Sequence, residues 1–133
     1  MQFMEWQEEW SVGVAALDAQ HKVLVRLINL LHDIELHGGD MTGVFAELDR
    51  YVDEHFRLEE QMLEAAAYPD LAGHKGEHKV FRDWLRSVRR SYAGGGSSAY
   101  HLAGTVNGFL RMWLANHILG SDMAYRPSLL GQS

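Results

Sequence analysis

The chain has 133 residues, with no cysteine and two prolines. Without cysteine there can be no disulfide framework, no thiolate metal site and no thioether-linked haem. Proline stands only at Pro69 and Pro127, so long helices are permitted almost everywhere. Cationic side chains are scarce: 12 Lys and Arg against 18 Asp and Glu give a net charge of −6. That balance argues against a nucleic-acid partner, because phosphate binding needs a basic face. Apolar runs are short and broken by charge, so no membrane span is expected. Met1 to Trp10 carries three glutamates and no Lys or Arg, which does not read as a secretory leader, and a cytoplasmic protein is the default expectation. What the chain does have is an apolar content of 47% and eight histidines. The first figure excludes disorder. The length fits a single domain over residues 1–133 with a real core.

Four segments carry apolar residues at helical spacing. They centre on Leu17, Leu24, Ile28 and Leu31; on Val44, Leu48, Val52 and Met62; on Leu71, Phe81, Leu85, Val88 and Tyr92; and on Leu102, Val106, Phe109 and Trp113. Breaks fall at His37-Gly38-Gly39-Asp40, at Tyr68-Pro69-Asp70 and at Gly94-Gly95-Gly96-Ser97-Ser98, each with a glycine or proline reason to stop a helix. Helices are therefore expected over about 18–37, 41–66, 70–92 and 98–119, followed by a C-terminal tail. Short loops between long amphipathic helices give an all-α, up-down-up-down antiparallel four-helix bundle. Residues 1–16 lack the bundle pattern, and Phe3, Trp6, Trp10, Val12 and Val14 suit an extended arm packed on the bundle.

Each apolar stripe is interrupted by potential metal ligands. His21 sits between Leu17 and Leu24; His55 and Glu59 lie between Val52 and Met62; His74 and His78 precede Phe81; His117 follows Trp113. Residues three or four apart share a helix face, so His55 with Glu59 and His74 with His78 each form a chelating pair. The depths agree as well. If the chain folds back at each loop, the midpoint of His21 and the His55/Glu59 pair falls at about residue 39. The corresponding midpoints for the next two neighbours fall at about 66–67 and 96–97. The first and third fall inside the loops and the second close to Tyr68-Pro69, which brings the candidate ligands of four helices to one layer. Five imidazoles and a glutamate buried together without a cation would be heavily desolvated. Asp122 is different: five residues beyond His117 it lies about 140° around a regular helix. Spacing alone places it slightly more readily on the surface, unless a π-type widening or a helix end turns it inward.

Nitrogen and oxygen donors without sulfur suit iron, with zinc, manganese and copper as competitors. Five imidazoles exceed what one ion with a free position would take, so two ions are natural. With Glu59, Asp122 and one oxide or hydroxide bridging, three histidines complete six ligands on one iron and two leave five on the other.

The lead-in Val12-Gly13-Val14 to Asp18-Ala19-Gln20-His21, the HxxxE of His55 to Glu59, the HxxxH of His74 to His78 and the HxxxxD of His117 to Asp122 together resemble the single-domain bacterial hemerythrins. The resemblance spans essentially the whole chain, and the ordered set is far more specific than any one motif. It implies that Asp122 is a bridging ligand. It also implies that His74, His78 and His117 serve the saturated iron and His21 and His55 the iron with the vacancy. Dioxygen would bind there reversibly, as a hydroperoxide, in a pocket lined by Trp113, Leu114, Ile118, Phe56 and Leu24. On this reading the chain is an oxygen carrier and not an enzyme, a monomer with no obligate protein partner; a diiron redox enzyme or sensor acting on oxygen, peroxide or nitric oxide is the alternative.

Rival motifs fit less well. Ferritin-like di-iron sites use Glu-x-x-His, which the chain lacks. His74-Lys75-Gly76-Glu77-His78 fits a zinc-protease pattern but leaves His21, His55, Glu59 and His117 unexplained. Haem held by paired histidines is weaker still. His32, His37 and His101 are expected to lie off the site, Asp18 to cap the first helix, and Gln20 and Asn116 to support the ligand imidazoles.

Overall fold

A computed structural model of the chain describes residues 4–93 and 99–129. Among the described residues there is no strand, and the helices form four antiparallel rods. The expected loop at Gly94–Ser98, and Phe3 of the arm, lie outside the described residues.

The first rod is α1, Ala15–His37. Gly38 ends it at φ 82°, its N–H reaching the Ile34 carbonyl at 2.7 Å, a conformation that glycine adopts without penalty. The second rod joins α2, Thr42–Arg50, through a π-helical turn, Tyr51–His55, to α3, Phe56–Ala65. Ala67 closes it at φ 53°, with the Tyr68 N–H on the Leu63 carbonyl at 2.9 Å, and Pro69 bars continuation. The third rod is α4, Leu71–Ala93. The fourth runs from α5, Ala99–Trp113, through a second π-helical stretch, Leu114–Asp122, into α6, Met123–Leu129.

Two boundaries differ from the sequence expectation. The fourth rod does not stop near 119, and no tail begins there. Gly120 and Ser121 are carried through by the widened backbone, where the Met123 N–H reaches the Gly120 and Ile118 carbonyls, and α6 is anchored by Tyr125, which is wholly buried. The first rod starts at Ala15, so Asp18 is inside it and caps nothing. Its carboxylate instead accepts the Ser11 hydroxyl and the Val12 N–H, the latter at 2.9 Å. That contact ties the arm to the bundle. Farther up, the Met4 N–H donates to Asn29 Oδ1 at 2.7 Å and Asn29 Nδ2 returns a bond to the Met4 carbonyl at 2.8 Å.

The core falls into two apolar clusters. The larger contains Leu24, Ile28, Leu48, Phe56, Phe81, Leu110 and Trp113 among others; the smaller is built from Val12, Leu17, Leu63 and Tyr125. Each large apolar side chain buried this way contributes about 1.5–3 kcal/mol. Between the two clusters, on every rod, lies one polar interruption. That interruption is the site.

Candidate metal centre

His21, His55, Glu59, His74, His78, His117 and Asp122 are all buried, none more than 2% exposed. Two donor groups emerge, each with its ligand atoms within 4.8 Å of one another: His74, His78 and His117 with Glu59, and His21 and His55 with Glu59 and Asp122. The carboxylates divide their oxygens between the two histidine sets. Glu59 Oε1 meets His74 Nε2 and lies 2.9 Å from His78 Nε2, while Oε2 lies 3.2 Å from His55 Nε2. Asp122 Oδ1 is 2.9 Å from His74 Nε2 and 3.0 Å from His117 Nε2, while Oδ2 is 3.0 Å from His21 Nε2.

Asp122 can face inward because of the backbone. His117 and Asp122 both lie in the π-helical stretch Leu114–Asp122, and the i→i+5 winding returns a residue five positions on to the same face. Of the two routes open from spacing, the widening is the one taken. A second π turn ends at His55, which is unannounced in the sequence.

The donor set fits cations. His21 Nε2, His55 Nε2, His117 Nε2 and both Asp122 oxygens lack an aligned hydrogen bond although wholly buried, yet they approach carboxylate or imidazole atoms at 3.0–3.2 Å. Donor atoms about 2.1 Å from one ion stand about 3.0 Å apart when adjacent on an octahedron. The spacing of these atoms is that of donors around a common ion.

Without metal the cluster must settle its charge by protonation. Burial opposes a charge on His21, His74 and His117, but the adjoining Asp122 and Glu59 carboxylates overcome it and hold the three pKa values up at about 9, 9 and 10. Burial dominates at His55 and pushes it below the ordinary imidazole value. Burial also opposes ionisation of Asp122, as does the Glu59 charge, yet contacts from His117, His21 and His74 keep its pKa down at about 2. Glu59 is likewise held well below the carboxylate range against its own burial.

A family description, the hemerythrin HHE cation binding domain, matches residues 12–129. The chain belongs to the hemerythrin family. It is 31% identical over 127 residues to the bacteriohemerythrin of Stenotrophomonas maltophilia (strain R551-3), covering 94% of this chain and 80% of the relative. Against the bacteriohemerythrin of Methylococcus capsulatus the identity is 30%, over 97% of this chain and 98% of that one. The crystal structure of wild-type hemerythrin superposes with a TM-score of 0.78 at 30% identity, covering 96% of this chain and 98% of that chain.

Within this hemerythrin fold, the imidazoles of the cluster are contacted from outside by residues only partly expected from the sequence. His55 Nδ1 donates to Gln20 Oε1 at 2.6 Å, as expected. Asn116 is exposed and lines a surface groove with Val80 and Met112, off the face that the adjacent, buried His117 presents inward. Glu60 instead accepts from His78 Nδ1 at 2.6 Å, and Glu77 Oε1 lies 3.3 Å from His117 Nδ1. Tyr125 donates to Glu59 Oε2 at 2.9 Å. The signals were present: Glu60 follows Glu59, and Glu77 precedes His78 inside the HxxxH motif. The five expected pocket residues are buried in one cluster. Phe56 stacks on His78 at 3.8 Å between ring centres and Trp113 on His117 at 3.9 Å, while Tyr51, not foreseen, lies over His55.

Proposed function

We propose that this hemerythrin-family chain binds dioxygen reversibly at a non-haem pair of iron ions with an oxo or hydroxo bridge, holding it in the hydroperoxide form that the family resemblance implies. The observation that carries the reading is the division of Glu59 and Asp122 oxygens between a three-histidine and a two-histidine set. His74, His78 and His117 would hold one ion and His21 and His55 the other, with Glu59 and Asp122 shared between them. An iron pair supplies, when bound, electrons that dioxygen can take and return. Two histidines against three leave the free position on the His21/His55 side. Tyr125, donating to Glu59 Oε2, fixes the carboxylate that both sets share. Phe56, Leu24, Trp113, Leu114 and Ile118 form the apolar wall of the oxygen pocket, which limits water around the metal. The relatives called bacteriohemerythrin support the same reading.

The proposal describes a carrier and not an enzyme: one domain over residues 1–133, acting as a cytoplasmic monomer. No described helix is long and apolar enough to cross a membrane. Repeated oxygenation and deoxygenation of the reduced, iron-loaded protein tests it. Many cycles with a returning oxygen-dependent colour support a carrier. Conversion to an oxidised form in the first cycle contradicts it and points to a redox enzyme. His55→Ala and Glu59→Ala each lose the colour while retaining most helical circular dichroism; an unchanged spectrum in either contradicts the ligand assignment.

A further inference from the structure

The groups that hold the imidazoles from outside are not alike on the two sides of the cluster. On the three-histidine side stand carboxylates. Glu60 accepts from His78 Nδ1 at 2.6 Å, and Glu77 lies 3.3 Å from His117 Nδ1, itself steadied by the Ser121 hydroxyl at 2.8 Å. On the two-histidine side the partner of His55 is the neutral amide of Gln20, while His21 Nδ1 and, on the other side, His117 Nδ1 make no aligned hydrogen bond among the described residues. The pocket beside Gln20 and His55 is lined by charges of both signs, Glu47 and Glu54 with Arg26 and Arg50. Arg82 offsets Glu60 only partly, from 3.9 Å and half-exposed.

A carboxylate that accepts an imidazole N–H makes that imidazole a more basic and more electron-donating ligand than an amide does. We infer that Glu60, by accepting from His78 Nδ1, and Glu77, by its charge beside His117 Nδ1, are positioning residues that make the three-histidine ion the more electron-rich of the pair, while Gln20 keeps His55 a neutral ligand. The asymmetry would favour oxidation on the side without the vacancy. This inference rests on the two-ion reading above and adds what sets the ions apart.

Anaerobic redox titration of iron-loaded protein tests it, with iron content measured on the same samples. Glu60→Gln and Glu77→Gln are each expected to shift the reduced-to-oxidised ratio about tenfold toward reduced, about 59 mV upward for one electron, with iron content unchanged. Gln20→Glu is expected to shift the potential downward. A purely structural role would change iron content or melting temperature and leave the potential in place. Reduced-to-oxidised ratios within about twofold of the parent in all three variants, about 18 mV for one electron, at full iron loading, would overturn the inference while leaving the two-ion reading intact. A parent protein that takes up fewer than two ions overturns both. Should Glu60→Gln fail to load, Glu77→Gln, at a more exposed position, and Gln20→Glu decide the matter by their opposite signs.

Discussion

Loading the metal-free protein with ferrous iron at pH 7 is expected to release three to four protons per chain. Three come from His21, His74 and His117, whose pKa values of about 9, 9 and 10 keep them protonated at neutral pH while metal is absent. A fourth comes from water if a hydroxide completes the bridge. With all four released, the charge of the site is conserved. Three imidazolium charges against two carboxylates leave one positive charge, and two ferrous ions against two carboxylates and one hydroxide leave one as well. The logarithm of the apparent affinity for the whole load therefore rises by about three to four per pH unit near pH 7. The metal-free fold moves the other way. Each imidazole raised above its ordinary value contributes stability that is complete below about pH 6.5 and is lost as pH climbs through 9–10. Heating scans should accordingly show a gap between loaded and metal-free melting temperatures that widens from pH 7 to pH 9. Anaerobic titration calorimetry in two buffers of different protonation enthalpy counts the protons. One or none at pH 7 would refute the reasoning, because the histidines would then be either neutral beforehand or not displaced by metal.

Other perturbations have definite outcomes. Tyr125→Phe keeps the buried ring and deletes the bond to the Glu59 carboxylate, a loss of about 1.5–3 kcal/mol for a charged acceptor; urea unfolding of the metal-free protein should show it, and an unmoved midpoint would count against that bond. Ala67→Gly relieves a left-handed residue at φ 53° and should stabilise by about 0.5–1 kcal/mol, seen as a higher denaturation midpoint. Phe56→Ala removes the ring stacked on His78, should cost about 3–5 kcal/mol, and should shorten the lifetime of the oxygenated colour by admitting water; equal lifetimes would remove Phe56 from the apolar wall.

The fold was readable because its signals are periodic and local. Apolar stripes give the rods, and glycine or proline gives their ends, so the depth of each ligand could be worked out from loop positions alone. His21, His55, Glu59, His74, His78 and His117 followed from that register. Asp122 did not, because its place depends on a π-helical winding over Leu114–Asp122 that no side-chain pattern announces; only the family resemblance pointed to it. The run of the fourth rod past residue 119 was hidden for the same reason, since Gly120-Ser121 reads as a stop in regular geometry. Asp18 was misplaced because its partners are tertiary, the Ser11 hydroxyl and the Val12 N–H of the arm. Glu60 and Glu77 drew no expectation from the sequence, because only the packing of α3, α4 and the π stretch brings them to ring nitrogens.

Diffraction from crystals of the iron-loaded protein, measured at the iron absorption edge, tests the central claim most directly. Two anomalous peaks about 3–4 Å apart are expected, one among His74, His78 and His117 and the other beside His21 and His55, with Glu59 and Asp122 between them. A single peak, or none within reach of those side chains, would contradict the account.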